Sequence, residues 1–405
     1  MSGASVLRSL WPVGVATVAA EGGRRLLTPR AAVPAPARVD LRDHFSEAEI
    51  ERGRRYARPQ LALALGGGAL ELATLAWLVR HPPRPLARAW RRPVAGAATT
   101  TAALSAALVA QGLPLRALAR RRALAVGLDT QNWGAWAADG AKAGAIRTGF
   151  SAAAGAAVTW IARRHPRDWW APAAAGWVGF GAALAALAPV LLDPIFNAFT
   201  PLPDGETRSD VLALARDAGV ALGEVYCVDA SRRTSAANAY VSGIGPSRRV
   251  VLFDTLLDRY SRDEIRLVVA HELAHVRHRD VLRLLAFVGV ASPASALAVQ
   301  RLSWELSPAR ATPAALPAVA LAAALVTLPL GLIGSRLSRA MERRADHFAL
   351  TLVGSPDAFV SFERTIALQN LADLDPPRWV ARLLATHPPT AERIGAAIAF
   401  ARATA

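Results

Sequence analysis

Two histidines four residues apart with a glutamate beside the first, His271-Glu272-Leu273-Ala274-His275, are the residues of this sequence best suited to chemistry. On a helix, positions i and i+4 lie one turn apart on one face, so both imidazoles reach one Zn²⁺ while Glu272 faces the water in the open coordination position. Zinc lowers that water's pKa toward about 7, and the carboxylate takes its proton as the water attacks a polarised peptide carbonyl. A pattern this short arises by chance in roughly one chain in a hundred of this size, so its surroundings must decide. Val268, Val269 and Ala270 precede it. Two histidines and a glutamate on so apolar a helix need a reason to be there, which metal ligation supplies and a charged surface helix does not.

A catalytic zinc takes a third protein ligand and keeps its fourth position for water. His278 is near, but three residues beyond His275 it turns partly off the face, and the extended HExxHxxGxxH pattern fails because His278 and Val281 stand where Gly and His are required. The third ligand must come from elsewhere. The stretch 338–346, SRAMERRAD, places two carboxylates at i and i+4 on one helix face: Glu342 to ligate, with Asp346 behind it to orient a ligating histidine. Alone, a glutamate among arginines is more often half of a surface ion pair; beside HExxH the balance reverses.

Elements must hold these residues. Residues 262–280 read as a helix with Ser261 as N-cap and Glu264 three residues on. Residues 224–228 and 249–253 alternate like strands, and Gly243-Ile244-Gly245-Pro246 marks a turn between Tyr240-Val241-Ser242 and the second of them. The rest is apolar. Of 405 residues, 53% are hydrophobic, more than a water-facing surface can hide, and they arrive in blocks of membrane-crossing length at 61–79, 93–110, 148–162, 169–192, 284–299 and 313–333. Residues 6–20, broken by Arg8 and Pro12, form a seventh span, a signal peptide or an interfacial segment. The expected fold is therefore mainly α-helical, a polytopic membrane protein of six or seven spans with a metallopeptidase domain containing a small sheet. Its division is 1–44 as N-terminal segment and linker, 45–192 as membrane helices, 193–283 as the first catalytic part, 284–333 as two further membrane helices and 334–405 as the second catalytic part. Two crossings return the chain to the side it left, so the two catalytic parts can meet.

The formal charge of +16 does not point to nucleic acid. Lys142 is the only lysine, and the arginines cluster beside the apolar blocks, where lipid headgroups attract them. Cys227 is the only cysteine, which excludes an intrachain disulfide and a thiolate metal cluster. Glu71 and Arg147, within or beside spans, must face a wet interior or snorkel to the surface.

The order of these motifs resembles the type I CAAX prenyl proteases, integral membrane zinc metallopeptidases with the HtpX heat-shock proteases as distant relatives. HELAHVRHRD at 271–280 and SRAMERRAD at 338–346 are similar to the family's metal-binding motifs, and Thr386-His387-Pro388-Pro389 with Glu392-Arg393-Ile394 to its C-terminal motif. The stretch 235–257, containing Asn238-Ala239-Tyr240, is also similar. The resemblance implies one Zn²⁺ per chain held by His271, His275 and Glu342, with Glu272 as base and a zincin-like α+β catalytic domain. It makes Asp346 a carboxylate behind the ligands, treated in some such enzymes as a proton donor. His387 and Arg393 would stabilise the tetrahedral oxyanion. Asn238 and Ala239 would lie on an edge strand that pairs with an extended peptide.

The resemblance further implies a water-filled chamber among the spans, and peptide or protein substrates that include lipid-modified or membrane-bound ones. Arginines flank both sides of the spans, so charge does not orient the chain; the resemblance puts the catalytic domain on the cytoplasmic side, and the arginine- and alanine-rich composition points to a bacterial cell membrane. The alternatives are an HtpX-like quality-control protease, which has fewer spans, and a non-enzymatic scaffold with a structural metal, which the presence of Glu272 disfavours.

Overall fold

The computed structural model describes residues 3–30, 33–84, 91–243 and 248–404. Five long helices come first: α1 (Gly3–Leu27), α2 (Glu47–Arg80), α3 (Pro93–Ala125), α4 (Trp133–Arg164) and α5 (Trp170–Leu191). Their alanine- and leucine-rich runs favour helix, and side-chain caps set two of the starts. Ser46 and Glu49 make a reciprocal capping box on α2, and Asn132 accepts from the Ala135 amide on α4.

A mixed region follows, comprising β1 (Phe199–Pro201), α6 (Glu206–Asp217), β2 (Glu224–Val228), β3 (Ala239–Ser242), β4 (Arg249–Phe253) and α7 (Arg262–Arg277). Then come α8 (Asp280–Leu306), α9 (Leu316–Val353), α10 (Pro356–Gln369) and α11 (Thr390–Thr404). The chain is mainly α-helical, as its sequence predicts. It is an integral membrane protein by the length and apolarity of five stretches: Glu47–Arg80, Pro93–Ala125, Trp170–Phe196, Asp280–Leu306 and Pro313–Val353.

The two remaining expected spans are helices too. In α4 the apolar block at 148–162 is the second half of a 32-residue helix whose first half carries Asp139, Lys142 and Arg147. Those charges are paired: Asp139 with Arg233 at 2.9 Å, and Arg147 with Glu71 of α2 at 3.2 Å. Glu71 and Arg147 thus meet each other, and both line a cavity of about 440 Å³ together with Gln60, Gln111 and Arg116. Pairing with each other offsets part of the cost that either charge alone would carry in an apolar surrounding. In α1, Ala16 and Ala20 are fully buried against α8 and α9. The block at 284–299 belongs to a helix of 27 residues, about 40 Å long, because polar ends extend it beyond its apolar centre.

The strands stand in the order β1-β2-β4-β3, with β2 and β4 parallel and the outer pairs antiparallel. β2 and β4 occupy the residues that their alternation predicts. β1 is an addition: at three residues, ending in Pro201, it is too short to carry a pattern. The turn expected around Gly245 lies outside the described residues. β3 is an edge strand, and the connection leading into it is tied to the membrane helices by the loop between α3 and α4. Thr130 donates its amide to the Arg233 carbonyl at 3.1 Å, and the Ser235 amide donates to the Leu128 carbonyl at 3.0 Å.

Helix α7 starts at the predicted capping box of Ser261 and Glu264. It packs on one side against the sheet, through Leu273, Val269 and Leu252, and on the other against α9 and α11, through Leu267, Ala270, Leu350 and Ala397. This contact brings the HExxH residues to the far half of α9, whose first half lies among the membrane helices.

Candidate active site

His271 and His275 project from α7 toward Glu342 of α9. The His271 and His275 Nε2 atoms are 3.2 Å apart, and they lie 3.2 and 3.6 Å from the two oxygens of Glu342. Their other nitrogens face carboxylates, with Asp346 2.9 Å from His271 Nδ1 and Asp280 2.9 Å from His275 Nδ1. A proton on each Nδ1, facing its carboxylate, is the arrangement that would free both Nε2 atoms to ligate a metal beside Glu342.

Two imidazole nitrogens and a carboxylate oxygen converging on one point make a donor set of the kind that holds a cation. The buried Glu342 Oε2 also lacks a hydrogen-bond donor. Separations of 3.2 to 3.6 Å are close to the edge of a tetrahedron, about 3.3 Å, around an ion 2.0–2.1 Å from nitrogen ligands. His271, His275 and Glu342 therefore fit a metal ion, and among the described residues they form the one His/Cys/Asp/Glu group so disposed. His278 does turn away, with its ring edge-on to Phe348.

Neighbouring elements hold this group in place. The α7–α8 joint is two residues long, and Arg279 within it takes a left-handed conformation at φ 57°. The turn starts α8 at Asp280 and aims its carboxylate back at His275. Arg344 of α9, itself buried, pairs with the other oxygen of Asp280. Arg339 donates to the carbonyls of Arg382, at 2.6 Å, and Ala385, which braces the π-helical segment Val380–Leu384 before His387. Arg339 and Arg344 thus serve as internal struts, whereas Arg343 pairs with Glu392 at the surface.

His271, Glu272, Asn238, Ala239, His387 and Arg393 line one cavity of about 680 Å³, with His275, Glu342 and Asp346 beside it. Burial pushes the Glu272 carboxyl up from its ordinary value, the direction expected of a base kept from bulk water. Burial lowers the His387 pKa, and its Nε2 lies 3.4 Å from Glu342 Oε2. Asn238 is exposed, accepts the Ala239 amide at 2.9 Å on its own side chain and opens β3 toward the cavity. Arg393 is committed on two sides: Nε and Nη2 donate to Asp346 at 2.9 and 2.6 Å, and Nη1 lies 2.7 Å from Glu363 of α10. Burial disfavours the Arg393 cation, but the two carboxylates outweigh it and raise its pKa.

Asp280 and Glu363 carry no role in the sequence reading. Asp280 is visible within HELAHVRHRD, five residues past His275, but only the left-handed turn makes it a partner. Glu363 has no local signal.

Residues 201–400 match the model of peptidase family M48. The chain is 31% identical over 291 residues to a protein of Bacillus subtilis (strain 168) described as uncharacterized metalloprotease YhfN, covering 70% of this chain and 68% of that one. It is 30% identical over 220 residues to a CAAX prenyl protease 1 homolog of Oryza sativa subsp. japonica, about half of each chain. The crystal structure of S. mikatae Ste24p superposes with a TM-score of 0.75 over 96% of both chains at 23% identity, which establishes the same fold.

Proposed function

This chain belongs to peptidase family M48 and is an integral membrane metalloprotease, and on that premise we propose that it is a zinc endopeptidase cleaving extended peptide segments at the His271, His275 and Glu342 centre. The observation that carries the proposal is the convergence of two histidine nitrogens and a glutamate oxygen beside Glu272, which lines the site cavity. Zinc at this centre supplies a Lewis acid that polarises the scissile carbonyl and acidifies water.

The chain's own residues do the remainder. Glu272, shielded from bulk solvent, accepts the proton of the attacking water and returns it to the leaving amine. Asp346 and Asp280 keep His271 and His275 in the tautomer that presents Nε2. His387, beside Glu342 at the cavity wall, donates an N–H toward the carbonyl oxygen as negative charge grows there, and Arg393 adds positive potential from behind Asp346. A substrate strand pairs with the free edge of β3 next to Asn238 and Ala239, which holds the scissile bond extended.

The resemblance to CAAX prenyl proteases supports substrates that reach the site from the membrane, lipid-modified C-termini among them, and a centre on the cytoplasmic side; the Bacillus relative is consistent with a bacterial cell membrane.

The test is zinc content and cleavage of a fluorogenic peptide pool by detergent-purified protein. Wild type holds about one zinc and cleaves; Glu272→Ala keeps the metal and loses roughly 10²–10⁴-fold in kcat; Glu342→Ala loses the metal. Wild type without zinc, or Glu272→Ala cleaving like wild type, refutes the mechanism.

A further inference from the structure

Glu363 is an acid in a place that would suit a hydrocarbon. Its side chain is 3% exposed on α10, among Phe359, Phe362 and Ile366, at the wall of the site cavity. Among the described residues its one ion-pair partner is Arg393 Nη1 at 2.7 Å, and Glu363 Oε1 lies outside hydrogen-bonding geometry there, so the contact is electrostatic. Arg393 does not need this partner for neutrality, because Asp346 already binds it through two hydrogen bonds. A buried carboxylate that is redundant for charge balance costs stability. Burial accordingly pushes the Glu363 carboxyl up to about 7, with Arg393 opposing and Asp346, less strongly, adding to it. Packing alone gives no reason for an acid here.

Geometry supplies one. Glu363, Arg393, Asp346 and His271 form a line of contacts 2.7, 2.6 and 2.9 Å long that runs from the cavity wall to the metal-ligand group. We propose that Glu363 is a positioning residue for the peptidase centre: by sharing the Arg393 guanidinium with Asp346, it fixes where that guanidinium stands and how strongly Asp346 is left to hold His271. Without Glu363, the guanidinium is drawn wholly onto Asp346. The carboxylate then binds the His271 Nδ1 proton less firmly, and the positive potential behind the scissile carbonyl moves away.

The proposal rests on the peptidase reading, and wild type and Glu272→Ala run in the same assay separate the two: if wild type fails to cleave, or Glu272→Ala cleaves, the reading itself is wrong. Given an active wild type, the full chain in detergent is compared as wild type, Glu363→Gln, Arg393→Gln and the double variant, for kcat, KM, bound zinc and Tm. Glu363→Gln is expected to lower kcat about tenfold, the size of effect seen when groups behind metal ligands are changed. KM stays within about twofold. Zinc is retained, and Tm is equal or higher because Arg393 still has Asp346. In the Arg393→Gln background the same change costs nothing further, since Glu363 acts through Arg393. An unchanged kcat in Glu363→Gln overturns the proposal. So do losses that multiply in the double variant, or a fall in zinc and Tm that parallels kcat. If Glu363→Gln yields no folded protein, Glu363→Asp carries the test: it keeps the charge one methylene farther from Arg393, and a lowered kcat at full zinc content supports the proposal while wild-type kcat overturns it.

Discussion

At the scale of single residues, the centre depends on which nitrogen of each histidine carries the proton. Asp280 and Asp346 face the Nδ1 atoms at 2.9 Å and favour a proton there, and each is held in turn by an arginine, buried Arg344 or partly buried Arg393. The spacing of His271, Glu272 and His275 is legible because one turn of helix is a local relation. Asp346 is legible for the same reason, once Glu342 is paired with HExxH. Asp280 is not, because its aim depends on Arg279 adopting a left-handed backbone that nothing in its residue type announces. Asp280→Asn keeps the shape and removes the charge that makes His275 a strong ligand. Zinc affinity should fall about 10- to 100-fold, measured by competition with a chromophoric chelator; an unchanged affinity would mean that His275 is oriented by something else.

At the scale of elements, α9 does two jobs with one continuous helix. Leu321, Ala322 and Val326 in its first half are buried among the helices of the membrane region, and Arg339, Glu342, Arg344 and Asp346 in its second half each reach partners in the site. Close backbone approaches join further elements to this region. A Cβ on Gly53 of α2 would meet the Ala372 carbonyl oxygen at 2.1 Å, next to Asp373, which pairs with Arg58 of α2 at 2.8 Å. Gly53→Val must push the segment 372–373 away, and a loss of about 1–3 kcal/mol is expected, read as a lowered Tm in detergent. Gly66→Ala in the same helix, where nothing lies within 4 Å of the new carbon, should leave Tm unchanged or raise it. Equal effects at both positions would show that the contact at Ala372 does not matter. The apolar runs locate the helices but underestimate α4 and α8, because hydropathy reports the lipid-facing middle of a helix and not the paired charges that extend it.

At the scale of the whole molecule, membrane helices and peptidase centre are one structure: the loop between α3 and α4 supports the connection into β3, and α8 and α9 both start in one region and end in the other. If the centre lies on the cytoplasmic side, green fluorescent protein fused after residue 405 should fluoresce in a bacterial host and alkaline phosphatase fused at the same point should be inactive; the opposite pair of results would invert the orientation. The relations that the sequence determines by itself are the local and additive ones. They are the membrane class, from the summed apolarity of its runs; the helix that starts at Ser261; the metal-ligating pair on its face; and the motif order that resembles a peptidase family. Only the tertiary structure decides the pairings across long stretches of chain: Glu71 with Arg147, Asp280 with His275 through an unusual turn, and Glu363 with Arg393. These pairs cannot be read along the chain because a buried charge acquires its partner from the packing of whole elements, and no periodicity in either element records where the other will come to rest.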